Sequence, residues 1–174
     1  MIDAFTIEAR ARRLVERCGT RDPLRIAQAE RILLYERKLG KLLGFYTCIQ
    51  RHRVIVLNQD LPEEQRTIVL AHELGHDALH RARAREAALH EFALFDMKDP
   101  SEYEANAFAA QLLIDTEELY DYVRLYRSDY AAVSSHFHCS IDLTLTKIAE
   151  LRRCGQGELI LPELPDAHFL KKAF

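Results

Sequence analysis

The feature that most restricts this chain is His72-Glu73-Leu74-Gly75-His76, set in a long helix-forming stretch. The two histidines are four residues apart, so on a helix they lie one above the other with about 5–6 Å between Cβ atoms. Imidazoles at that spacing can close on one tetrahedral zinc ion at about 2.0–2.1 Å each. Glu73 is turned by about 100° from His72 around the helix axis. That direction suits a general base taking a proton from a zinc-activated water better than it suits a ligand. The flanks agree with a helix set against a core, since Ile68, Val69, Ala71, Leu74 and Leu79 are apolar or small.

A catalytic zinc needs three protein ligands and an open position. His80 continues the face of His72 and His76, but His72 and His80 stand about 12 Å apart along a straight helix and cannot share one ion. His80 is therefore expected beside the site, on the lip of a cleft or in a structural role. A third ligand fits better on another helix, in Glu102-Tyr103-Glu104-Ala105-Asn106. Glu102 and Asn106 share a face at i, i+4, so Glu102 can ligate while Asn106 hydrogen-bonds the far nitrogen of a ligand histidine. Glu104, about 200° away from Glu102, is the competing candidate, because both cannot face one metal. Glu102 also has a plainer reading, as the capping-box partner of Asp99. Tyr46, His80, His90 and Tyr103 are candidates for an oxyanion donor.

Around these helices the chain reads as α+β. A helix is expected from Ile2 to Arg17, with a short second one opening at Asp22-Pro23. Ile32–Tyr35, Phe45–Ile49 and Val54–Leu57 are runs rich in β-branched and aromatic residues. They predict a small antiparallel sheet of about three strands, packed on the helix that carries the histidines. That helix is expected to start at an Asp60 cap with Glu63 completing a capping box, and to run to about Arg83. The stretch 86–98 reads as helical at first and then as loop. Further helices are expected from Asp99 through Ile114, from Asp115 through Tyr126, over Asp129–Phe137 and over Ile141–Cys154, with an irregular tail after Gly155. A single domain over 1–174 is expected, with a core of about 20–125 and a helical C-terminal portion of about 126–174.

Composition narrows the class further. Charged residues make up 29% of the 174 and the net charge is −3, so no excess of basic charge points to nucleic acid. The arginines at 10, 12, 13 and 17 crowd one helix without interleaved aromatics and read as a solvated face. Lys147, Arg152 and Arg153 share their helices with Asp129, Asp142 and Glu150, so no basic recognition face forms there either. No run of 18 apolar residues is present and Met1–Phe5 lacks a signal-peptide pattern, which predicts no membrane partner and a cytoplasmic location. The four cysteines are scattered without a Cys-x-x-Cys pair and read as small buried hydrophobes. Tyr120, Tyr122, Tyr126 and Tyr130 read either as a partner-facing patch or as helix packing.

The paired motifs resemble the ImmA/IrrE-type metallopeptidases, a gluzincin-like family. The likeness rests on His72-Glu73-Leu74-Gly75-His76 with Leu79-His80, and on the segment from Glu102 through Leu113. Leu43-Gly44-Phe45-Tyr46 and the strand into Leu57-Asn58 are similar to the family's lead-in. The likeness spans roughly residues 20–125. The family usually continues from Leu-Leu into Met-Pro, where this chain has Ile114-Asp115. The resemblance implies zinc ligands His72, His76 and Glu102, with Glu73 as general base. It further implies an intracellular zinc endopeptidase whose protein substrate is a helix-turn-helix transcriptional repressor. The competing reading is a non-catalytic, metal-stabilised protein-binding regulator, which has no need of Glu73.

Overall fold

The computed structural model describes residues 1–84, 89–91, 99–126 and 129–156. Helix α1, Ala4–Cys18, begins at Asp3, whose carboxylate accepts from the Thr6 N–H, and ends at Gly19 with φ of 66°. That left-handed residue lets its N–H reach back to the Val15 carbonyl, a close that glycine makes without steric cost. Asp22 caps α2, Pro23–Ala29, and Pro23 occupies a first-turn position where its missing N–H costs nothing.

Three strands follow: β1, Leu33–Arg37; β2, Gly44–Ile49; and β3, His52–Asn58. Strands β2 and β3 form an antiparallel hairpin closed through Gln50 and Arg51, both at positive φ. A two-residue turn of that hand matches the twist of the strands, and the pairing sets Tyr46 opposite Ile55. Strand β1 runs parallel to β3, pairing Leu33 with Val54. A short strand β4, Leu89–Glu91, adds antiparallel to β2, giving the order β1-β3-β2-β4.

Helix α3, Glu63–Leu79, is buried without a break from Ile68 to Asp77. The sheet, α2 and the later helix α5 all pack on it, so it lacks the usual wet face over these residues. Helix α4, Arg81–Ala84, follows at once. Helix α5, Pro100–Leu113, lies against α3, and Gly75 is the reason the two can approach so closely. A Cβ at position 75 would stand 3.0 Å from the Ala105 carbonyl oxygen and 3.1 Å from Ala105 Cα. Helices α6, Thr116–Tyr126, α7, Tyr130–His136, and α8, Ile141–Arg153, complete the described fold; α8 packs on α5, and α7 on α8. Among the described residues no helix is long and apolar enough to cross a membrane.

The α+β class is as expected, and four details differ. Helix α3 is not capped by Asp60; it starts after Pro62, with no side-chain cap. The buried Asn58 explains this: its amide donates to the carbonyls of Gly40 and Leu42, and its oxygen accepts from the Asp60 N–H at 3.2 Å. Asp60 is thereby held in a turn ahead of the helix. The helix also stops at Leu79 rather than near Arg83, because His80 leaves helical geometry at φ −122°, ψ 18°. Strand β1 is parallel to its neighbour where an antiparallel sheet was expected. Residues 89–91, in the stretch read as helix then loop, form a strand; the rest of that stretch and the tail beyond Gln156 lie outside the described residues.

The cysteines are free, Cys154 buried and the other three half-buried. Tyr122 stacks on His136 at 4.1 Å and the Tyr120 hydroxyl donates to the Gln156 carbonyl, so both serve helix packing, while Tyr126 is exposed.

Among the described residues Lys147 is the most deeply buried lysine or arginine, 1% exposed, donating to Gln111 Oε1 at 2.5 Å and Thr116 Oγ1 at 2.8 Å. Burial, reinforced by the charge of Arg21, lowers its pKa from 10.5 to about 7. Between those two pH values the unfolded chain holds the proton that the folded chain has lost, so raising the pH favours folding. Wild-type stability should therefore rise relative to Lys147→Met by roughly 2–4 kcal/mol between pH 7 and 10. Urea unfolding of both proteins across that range checks it, and parallel pH profiles would contradict it.

Candidate metal centre

Helix α3 and helix α5 supply every side chain of the centre. His72 and His76, one turn apart, meet with ring centroids at 4.7 Å and planes nearly perpendicular. Their Nε2 atoms are 3.0 Å apart. From the first turn of α5, Glu102 Oε2 stands 3.2 Å from His72 Nε2 and 3.4 Å from His76 Nε2. Both imidazoles are buried and the Glu102 side chain is 20% exposed.

Those three separations test whether a metal fits. Donor atoms on a tetrahedral ion with bonds of about 2.0–2.1 Å lie about 3.3–3.4 Å from one another. The observed triangle of 3.0, 3.2 and 3.4 Å is close to one face of such a tetrahedron. Two imidazole nitrogens and a carboxylate oxygen are also a donor set that borderline divalent metals accept. His72, His76 and Glu102 are the group among the described residues able to hold a metal ion.

The electrostatics point the same way. Burial lowers the pKa of His76 to about 4, keeping the ring neutral, as a ligand must be. For Glu102 burial works toward protonation, but the two imidazoles outweigh it and hold the carboxyl well below its usual range. The carboxylate form is the one that ligates.

Of the two acidic candidates, the structure brings Glu102 to the histidines and turns Glu104 away. Glu104 is buried on the other side of α5, accepting from the Ile2 N–H at 2.5 Å and meeting His80 Nε2 at 2.8 Å. Nor does Glu102 act as a capping partner: Asp99 caps α5 through Ser101, and the Glu102 carboxylate points at the rings. Asn106 Oδ1 meets His72 Nδ1 at 2.9 Å, fixing that ring from behind.

Glu73 is completely buried on the sheet side of α3. A Cβ at Gly44 on β2 would stand 3.1 Å from its Oε1 and 2.9 Å from Val69 Cγ1. Gly44 thus makes the room in which the Glu73 carboxylate sits, a role that a lone glycine before an aromatic strand does not announce in sequence. Among the candidate oxyanion donors, Tyr46 is committed to Asp77 at 2.7 Å and Tyr103 to Glu150. His80 is held between His76 and Glu104, and the side chain of His90 lies outside the described residues. Three of the four are therefore engaged elsewhere.

A helix presenting a His-x-x-x-His pair, a carboxylate brought to it from a neighbouring helix and a small sheet alongside form a group able to hold a metal ion. Residues 27–148, more than half of the chain, match the family model described as the IrrE N-terminal-like domain, Peptidase M78. The chain belongs to that peptidase family. It is also similar to a protein of Bacillus phage phi105 named "Uncharacterized immunity region protein 2", at 38% identity over 109 residues, 62% of this chain and 68% of the phage protein.

Proposed function

We propose that this chain is a single-domain, cytoplasmic zinc endopeptidase with ligands His72, His76 and Glu102 and with Glu73 as general base. The observation that carries the reading is the triangle of two Nε2 atoms and one carboxylate oxygen at 3.0–3.4 Å. Zinc, when bound, would supply Lewis acidity toward the scissile carbonyl and toward the attacking water. Glu73, the residue after His72 and the acid of the motif that does not join the triangle, takes the proton from that water and returns it to the leaving amine. Glu102 supplies the negative charge of the site, and Asn106 and the burial of both rings hold the nitrogens in place. A substrate segment lies in extended form against β4, the edge of the sheet beside Gly44 and Glu73.

The proposed substrate is a helix-turn-helix transcriptional repressor. Membership of the peptidase family supports hydrolysis, and the similarity to a phage immunity-region protein supports a regulatory protein as target. The test is purification without added metal, followed by metal analysis and incubation with helix-turn-helix repressors of the same genome. About one zinc per chain and one discrete cleavage, stopped by a chelator and restored by zinc, is the expected result. Absence of zinc, together with no uptake from a zinc buffer, would sink the reading.

A further inference from the structure

Each histidine of the triangle has its own support, and the two supports differ in kind. Behind His72 stands the amide of Asn106; behind His76 stands a second imidazole, with Nδ1 of His76 and Nδ1 of His80 at 3.0 Å. His80 Nε2 in turn meets Glu104 Oε2 at 2.8 Å, and the other Glu104 oxygen accepts from the backbone N–H of Ile2. His80 and Glu104 are both largely buried, with side chains 9% and 6% exposed.

The order of protons along this chain follows from its far end. A carboxylate only accepts, so the hydrogen between His80 and Glu104 is carried by His80 Nε2. A neutral imidazole with its proton on Nε2 offers a lone pair at Nδ1. Between His80 and His76 the donor is then His76 Nδ1–H, which leaves His76 Nε2 without a proton and aimed at the triangle. The Ile2 N–H occupies the second Glu104 oxygen and keeps the carboxylate facing His80. His80 is also the residue at which α3 leaves helical geometry, and its ring lies between His76 and Glu104.

We infer that His80 and Glu104, anchored by the backbone N–H of Ile2, are positioning residues that fix the tautomer of His76 so that its Nε2 is presented to the metal. This rests on the reading of His72, His76 and Glu102 as a zinc site and adds to it what the second acid of the Glu-x-Glu segment and the histidine that closes α3 do. It also ties the start of α1, at the other end of the sequence, to the quality of the metal site.

The test is zinc affinity measured by chelator competition, with the unfolding transition of each metal-free protein recorded alongside. His80→Phe keeps a ring but has neither nitrogen, and should weaken zinc binding about 10–100-fold. His80→Gln can accept from His76 through its amide oxygen and donate to Glu104 through its amide nitrogen, and should recover affinity to within about threefold of wild type. Glu104→Gln has one acceptor for two donors and should fall with the phenylalanine variant. A His80→Phe protein that folds and binds zinc like wild type overturns the inference, as does a glutamine variant no better than phenylalanine.

A measurement on the unsubstituted zinc-loaded protein decides the point even if variants misfold. Long-range nitrogen–proton correlation should show His76 protonated at Nδ1 and His80 protonated at Nε2. His76 protonated at Nε2, or His80 lacking its Nε2 proton, overturns it. Failure of wild type to bind zinc at all is a different result, which removes the zinc reading itself and this inference with it.

Discussion

Glutamine in place of Glu73 is expected to leave zinc bound at near wild-type affinity and to lower turnover by about 10²–10⁴-fold. The substitution keeps the volume of a side chain that is wholly buried beside Gly44, so neither a cavity nor an overlap is created. It removes only the capacity to accept a proton, since an amide oxygen is a far weaker base than a carboxylate. The zinc content should be unaffected, because the triangle is built from His72, His76 and Glu102 without Glu73. Turnover on a cleavable repressor or peptide, at saturating substrate and with metal content measured on the same sample, separates the possibilities. Full zinc with full activity would remove Glu73 from the chemistry. Loss of zinc along with activity would put it among the ligands. The regulator held together by metal without catalysis would come forward if wild type bound zinc but cleaved nothing.

How much of this was legible beforehand depends on how local the determining forces are. The histidine pair was legible because helical period alone brings positions 72 and 76 together. Glu102 and Asn106 were legible as a pair on one face for the same reason, but the face they would meet was not. Spacing favoured Glu102 over Glu104 and the family resemblance named it, but how α5 is rotated against α3, where Gly75 meets the Ala105 backbone, is a tertiary fact that spacing does not carry. The helix starts at Asp99, Asp129 and Ser140 follow from short polar side chains reaching N–H groups two or three residues on, an interaction confined to one turn. Asp60 failed by the same logic: Asn58, buried by tertiary packing, claimed its backbone first. The parallel pairing of β1 with β3 was invisible because pairing partners are chosen across the chain, whereas alternation within one strand reports only which face is buried. His80 shows the limit best. Periodicity placed it one turn beyond His76, yet its role depends on Glu104, 24 residues away, and on a backbone group at position 2.

Alanine at Glu102 should cost zinc more affinity than loss of any supporting residue, hence more than the roughly 10–100-fold assigned to outer hydrogen-bond partners. It deletes one of three donor atoms and the only carboxylate of the triangle, leaving two ring nitrogens 3.0 Å apart. The fold should survive the change. Helix α5 is capped by Asp99 through Ser101 and braced by Arg83, which meets the Asp99 carboxylate at 2.9 Å, so the Glu102 carboxylate is not needed to start the helix. Gly75 and Ala105 hold α3 and α5 together without it. Loss of the carboxylate's contacts with the two rings should lower the metal-free unfolding free energy by about 1–3 kcal/mol without abolishing the fold. The informative comparison is with Glu104→Ala, since both substitutions remove a carboxylate from the same two turns of α5. If affinity falls steeply for Glu102→Ala and only to the level of a supporting residue for Glu104→Ala, the ligand and its support are distinguished by experiment as they are by geometry. If Glu102→Ala retains wild-type zinc affinity, the third donor comes from elsewhere in the chain, and the rotation of α5 against α3 would have to be explained by packing alone.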